Sequence, residues 1–336
     1  MCASMTKRER VLAAVRGDEV DRVPVSFWAH NFARENTAGS LARESARFLK
    51  AYDWDFLKVQ SRATYFTEGW GNRYIRSRRP TVGPTLASYG LITVHDLARL
   101  QPLALSHPVL VEQQEALRQT RELVGPDVPI LWTIFCPLTI ASALVPEGVE
   151  GIQDAMVTDP DVLDSGLEAI AKTYAALGRR YLELGADGIF YATKWAGPRM
   201  LTREQHRRFA RPHDLEVVGA VADAPFNVLH LCAEEIYFSD FRDYPAAALN
   251  WELGPGNPTL AEARSLTDRA LLGGVSPKPE FARLTPRQVQ AQVGAAIATT
   301  GGRHFLIGPG CSVNPGSPPT IYRVARDAAR AIRNST

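Results

Sequence analysis

The 336-residue chain has little cysteine, no long apolar run free of proline and almost no excess of either charge, and each shortage removes a class of protein. Its four cysteines, at positions 2, 136, 232 and 311, are too few and too irregularly spaced for the disulfide framework of a small secreted domain. A reducing cytoplasm is therefore the expected setting. Lys and Arg total 38 against 36 Asp and Glu, a formal net charge of +2, so nothing in the overall electrostatics calls for nucleic acid or an anionic membrane as partner. Residues 128–146, VPILWTIFCPLTIASALVP, run without a charge for close to the length that spans a bilayer. Pro129 and Pro137 interrupt that run, which reads instead as a strand, PILWTIF, and a helix beginning after Cys136-Pro137. The opening residues carry Lys7, Arg8, Glu9 and Arg10 before a short amphipathic stretch, unlike a signal peptide, and Thr6 with Glu9 three positions later marks a helix start. Nucleotide-binding glycine fingerprints, internal repeats and low-complexity tracts are lacking too.

What is present is a recurring alternation. Eight β-rich apolar runs fall at residues 23–28 (VPVSFW), 56–60 (FLKVQ), 129–135 (PILWTIF), 188–192 (GIFYA), 226–231 (FNVLHL), 247–251 (AALNW), 270–274 (ALLGG) and 304–308 (HFLIG). Helical patterns separate most of them. Between residues 161 and 184, for example, Leu163, Leu167, Ile170, Tyr174, Leu177, Tyr181 and Leu184 recur at helix spacing. Eight strands with intervening helices predict an α/β protein of the (β/α)8 TIM-barrel type, with added N-terminal helices and loop insertions, as a single domain over residues 1–336. An open, doubly wound sheet is the alternative, and the missing glycine fingerprints count against it.

In such a barrel the chemistry lies at the C-terminal ends of the strands. His230 and Cys232 close the fifth run and, two residues apart on an extended segment, point to the same side. Cys311 follows the eighth run after Gly-Pro-Gly, and the sixth ends in Asn250-Trp251-Glu252. A lone His-x-Cys is weak, because buried cysteine and histidine are common in cores. Ligands gathered from the ends of separate strands, unlike the local Cys-x-x-Cys knuckles of structural sites, point instead to a catalytic metal site of His230, Cys232, Glu252 and Cys311. Two thiolates, an imidazole and a carboxylate suit zinc. A carboxylate that gives way to an incoming thiol would leave the ligand charge unchanged while making the thiol nucleophilic, which gives Glu252 a catalytic role.

Several stretches, TKRERVLAAVRGDEVDRVPV, ADGIFYATKWAG, NVLHLCAE and FLIGPGCSVNPGSPPTIYRVARDAAR, carry a likeness along nearly the whole chain. The protein resembles the uroporphyrinogen decarboxylase superfamily, and within it the zinc-dependent methyltransferases that act with corrinoid proteins. The resemblance implies a (β/α)8 barrel and zinc on His-x-Cys, a later Glu and a final Cys, a pattern that falls on His230, Cys232, Glu252 and Cys311. Glu234 and Glu235 are nearer in sequence and compete with Glu252. True decarboxylases carry Arg-Gln-Ala-Gly-Arg after the first strand and an Asp after the second. Here those regions read Trp28-Ala29-His30-Asn31 and Gln60-Ser61-Arg62.

At other expected strand ends stand His30, Lys58, Gln60, Cys136, Tyr191, Lys194 and Trp195, candidates for the substrate pocket, with ordinary packing as the competing reading of each. The cluster Arg73, Arg76, Arg78 and Arg79 reads first as a solvated loop and second as a docking face for an acidic partner. The expectation is a zinc-dependent methyltransferase with a small-molecule thiol as acceptor and methylcobalamin, free or on a separate corrinoid protein, as the donor. No cobalamin-carrying Asp-x-His-x-x-Gly occurs in the chain itself. A metal-free lyase of the decarboxylase type and a non-catalytic thiol- or corrinoid-binding protein are the competing expectations.

Overall fold

A computed structural model describes residues 4–277 and 280–332; Cys2 lies outside the described residues. Nine strands are found among them: β1 Leu57–Val59, β2 Arg73–Ile75, β3 Thr85–Ser88, β4 Ile130–Phe135, β5 Gly188–Thr193, β6 Val228–Leu231, β7 Ala248–Trp251, β8 Ala270–Val275 and β9 Phe305–Pro309. Seven form one curled parallel sheet in the order β1-β4-β5-β6-β7-β8-β9, and β2 pairs with β3 in a separate antiparallel ribbon. Each main-sheet strand thus neighbours the strands adjacent to it in that sequence. The order never reverses, which removes the doubly wound alternative, since that fold turns back at a switch point.

The main sheet is apolar on both faces. Ile130, Trp132 and Ile134 of β4 and Ile189 and Tyr191 of β5 join a core shared with the helices, whereas Leu131, Phe190 and Ala192 join a second, inner cluster with Trp28, Phe56, Val228, Leu272 and Leu306. Helix Pro160–Glu183 contributes Leu163, Leu167, Ile170, Tyr174 and Leu177 to the outer core, the spacing read from the sequence. The charge-free run at 128–146 resolves into β4 and helix Pro137–Leu144. No described helix is long and apolar enough to cross a membrane.

Helix Lys7–Arg16 begins with the expected capping box, Thr6 accepting from the Glu9 backbone and the Glu9 side chain accepting from that of Thr6. Its Val11, Ala13 and Ala14 close the inner cluster at the end where the strands begin. Gly17, which ends this helix in a left-handed conformation, lies against His304 just before β9, where a Cβ would collide with the imidazole. The opposite end, where the strands finish, is left for the candidate site.

The expected strand at 23–28 is reduced to a single bridge, Val25 to Ile307. Pro24 has no N–H to extend a ladder. The segment nevertheless bonds to both edges of the sheet: Ser26 N–H donates to Ile307 O (3.1 Å), Ile307 N–H to Pro24 O (2.9 Å) and Asp55 N–H to Val25 O (3.0 Å). Asp55, fully buried, fastens this junction by accepting from Arg10 Nη1 (2.8 Å), from Arg22 Nη1 (2.6 Å) and Nη2 (2.8 Å) and from Val25 N–H (2.9 Å). Removing the carboxylate leaves two guanidinium groups facing each other without their shared counter-charge. Asp55→Ala is expected to destabilise the protein by about 3–5 kcal/mol in urea unfolding, and a loss below about 1 kcal/mol would contradict this role.

Candidate metal centre

The inner cluster takes Val228 from β6, so by the two-residue period of a strand His230 faces inward as well, and Cys232 continues the series. The backbone keeps that register past the strand, with Cys232 N–H donating to Thr193 O of β5 (2.8 Å). Cys311 arrives from β9. The turn that presents it needs glycine, because a Cβ on Gly310 would meet Glu252 Cα at 2.7 Å and Trp251 O at 2.8 Å. That close approach brings the Cys311 loop onto the end of β7. The loop is fixed further by Val313 N–H donating to Trp28 O (3.1 Å) and Gln60 Nε2 donating to Ser312 Oγ (2.7 Å).

The outcome is convergence of three donors. One ligand atom each from His230, Cys232 and Cys311 lies within 4.8 Å of the others, and the two sulfurs are 3.9 Å apart. That separation is far beyond a disulfide bond. It is close to the roughly 3.8 Å expected of two thiolates on one tetrahedral zinc with Zn–S bonds of about 2.3 Å. His230 is buried, its Nδ1 without a hydrogen-bond partner among the described residues, and its ring tilts against Phe190 at 5.2 Å between centroids. Spacing, donor chemistry and the unsatisfied nitrogen all fit zinc.

Glu252 stands beside these three, although its carboxylate is not in the group that converges within 4.8 Å. Burial raises its pKa above the ordinary range, the negative charge of Cys311 and then of Glu280 raises it further, and His230 opposes the shift. Burial and negative neighbours thus both oppose ionisation of Glu252 on this rim. Of the two competing glutamates, Glu234 pairs with Arg199 at 2.5 Å, and Glu235 lies beside Gly256 with its backbone at φ 54°. Sequence reading missed Phe190, Ser312 and Glu280; strand alternation was the available signal for the first, and adjacency to Cys311 for the second.

The pocket candidates divide. His30, Gln60, Lys194 and Trp195 line a cavity of about 360 Å3 at the ends of β1, β4 and β5, together with Phe135 and Thr139. Lys58 lines an adjoining space with His30 and Gln60. His30 Nδ1 is held by Glu35 Oε2 (2.8 Å) and its ring stacks on Phe32. Cys136 and Tyr191 line neither of these two spaces. Cys136 caps helix Pro137–Leu144, accepting from Thr139 N–H, and burial pushes its thiol up to about 11, which leaves it protonated at neutral pH. Tyr191 has the outward parity of β5 and donates to Asp214 Oδ1 (2.6 Å) beneath helix Arg211–Gly219. Arg73, Arg76, Arg78 and Arg79 are exposed on or beside the β2–β3 ribbon, as a solvated loop requires.

The uroporphyrinogen decarboxylase (URO-D) family model matches residues 6–332. A methylcobamide:CoM methyltransferase from Methanosarcina barkeri is 27% identical over 94% of this chain and 95% of its own length. A uroporphyrinogen decarboxylase from a Synechococcus species is 26% identical over 73% of this chain and 68% of its own. Among solved structures, a methyltransferase from Methanosarcina mazei superposes with a TM-score of 0.80 at 21% identity, covering 98% of this chain and 99% of that one, which shows a common fold.

The buried acid behind β5 generates a test. Burial pushes the Asp214 carboxyl up to about 7, against the hydrogen bonds from Tyr191 and Tyr244 that lower it. Its folded value exceeds the unfolded one, so the native state holds more protons between about pH 4 and 7 and stability falls as pH rises through that window. Asp214→Asn, which removes this penalty, is expected to change stability little at about pH 4 and to add about 2 kcal/mol at about pH 8 in urea unfolding. An equal effect at both pH values would contradict it.

Proposed function

The chain belongs to the uroporphyrinogen decarboxylase family, and on that premise we propose that it is a zinc-dependent methyltransferase whose methyl acceptor is a thiol. The observation that carries this reading is the meeting of His230, Cys232 and Cys311 at the ends of β6 and β9. Those three residues would hold the metal, His230 as a neutral imidazole and the cysteines as thiolates, with Glu252 as the fourth ligand. Bound there, zinc would lower the pKa of a thiol enough to make it a nucleophilic thiolate at neutral pH. Glu252, whose carboxylate lies outside the group of three that converges, would be the ligand to yield its place to an incoming thiol. Two thiolates and a buried imidazole favour chemistry at sulfur over water activation, which more often employs histidines and carboxylates.

The methyl donor in this account is a methylcorrinoid, free or carried by a separate protein. The cavity lined by Gln60, Lys194 and Trp195 offers it, or the thiol's remaining portion, a place beside the site. Full-length likeness to the methylcobamide:CoM methyltransferase supports the assignment. Porphyrinogen decarboxylation is disfavoured because Trp28-Ala29-His30-Asn31 and Gln60-Ser61-Arg62 stand where that activity's motifs belong. We read the sheet as an eight-membered barrel closed by residues 23–28, whose bonds to β9 and to Asp55, two residues before β1, support it, and the chain as one domain. A reducing cytoplasm would keep both thiols available.

Purified protein is expected to carry near-stoichiometric zinc by elemental analysis. His230→Ala or Cys311→Ala should weaken zinc binding by about two orders of magnitude or more, beyond the ~10–100-fold typical of residues that only support a ligand. Methylcobalamin should lose its methyl group in a thiol-dependent reaction when a panel of thiols is screened. A fully active zinc-free protein would sink the metal role, and zinc binding without turnover on any thiol would leave a binding protein.

A further inference from the structure

Lys58 occupies the middle of β1 between Leu57 and Val59, whose side chains enter the outer core. Alternation therefore turns Lys58 into the concave interior, where it is 5% exposed. Its Nζ lies 4.5 Å from the centroid of Phe190 and 5.9 Å from that of Trp28. The same Phe190 ring packs on His230. Nζ also donates to Gln60 Oε1, and Gln60 Nε2 donates to Ser312 Oγ (2.7 Å), the residue after Cys311. One ammonium is thereby linked to the proposed centre from two directions: through an aromatic face under the imidazole, and through an amide and a hydroxyl to the Cys311 loop.

Burying an ammonium is costly, and an aliphatic side chain would fill this space without that cost. Aromatic faces offset part of it. The charge of the centre would offset a further part. Two thiolates and the Glu252 carboxylate against a divalent cation would leave one negative charge at a half-buried rim, and replacing the carboxylate by a substrate thiolate would leave the same charge. We propose that Lys58 is the counter-charge of the His230–Cys232–Cys311 centre, a positioning residue that balances it and fixes the Cys311 loop through Gln60 and Ser312. This role rests on the metal reading above.

The test is the zinc dissociation constant of the full chain at one neutral pH, by competition with a chromophoric chelator, with thermal unfolding of the metal-free proteins recorded alongside. Lys58→Met is expected to weaken zinc about tenfold, at the lower end of the effect of residues supporting metal ligands. Lys58→Gln, which keeps a hydrogen-bonding group without the charge and serves if the methionine variant fails to fold, should weaken it similarly. Lys58→Arg, which keeps the charge, should stay within about threefold of the parent. Parent-like binding by both uncharged variants would overturn the role of Lys58 alone, and so would an arginine variant as weak as they are, since packing would then account for the loss. A parent protein that takes up no zinc would instead overturn the metal reading itself.

Discussion

The two-residue period of an extended strand is the constraint from which the site follows. In β6 it sends Val228 and His230 to the inner face and carries Cys232 to the same side, while Leu229 and Leu231 pack against the outer layer. Because the main-sheet strands run parallel, their C-terminal ends all finish at one rim, and Cys311 enters that rim from β9. The 3.9 Å between sulfurs is then a product of strand register and of one glycine that lets the β9 loop rest on β7. A shift of one residue in β6 would exchange His230 for Leu231 and dissolve the cluster.

Charge gives the rim its chemical character. Burial first, and then the negative charge of Cys311 and of Glu280, hold the Glu252 carboxyl above its ordinary range. A bound cation would reverse the sign of that effect, turning neighbouring negative groups from a cost into a source of affinity. Lys58 carries the opposite sign on the inner side, cushioned by Phe190 and Trp28. The pocket beside the rim is otherwise mixed, with His30 tied to Glu35 and Lys194 exposed. Anchorage at the far end of the sheet is a separate matter, settled by Asp55 between Arg10 and Arg22.

Much of this was legible in the sequence, and the failures have physical reasons. Apolar runs flanked by helical periods located all seven strands of the main sheet to within a residue or two, because a buried parallel strand needs an unbroken apolar segment. The same property hid the facing of Tyr191: with Phe190, Tyr191 and Ala192 all apolar or aromatic, nothing in composition tells inward from outward, and the hydroxyl meets Asp214 behind the sheet. Residues 23–28 have a strand's composition, yet Pro24 limits them to a bridge. His230, Cys232 and Cys311 could be chosen because donors at strand ends share a rim. The distance of the Glu252 carboxylate could not be foreseen, since it depends on a loop conformation rather than on a period. Lys58 was readable as a strand-end residue, but its link to the centre runs through Phe190 and Ser312, which only the folded chain brings together.

In the proposed reaction a thiol sulfur would displace the Glu252 carboxylate at a centre where Cys232, Cys311 and His230 would supply two sulfurs and one nitrogen. X-ray absorption at the zinc edge reads that directly. Two sulfur and two nitrogen or oxygen neighbours are expected in the isolated protein, changing to three sulfur neighbours when a substrate thiol is added, with the sulfurs at about 2.3 Å. A zinc shell without sulfur, or one of two sulfurs that stays the same at saturating concentrations of any thiol found to accept a methyl group, would contradict it.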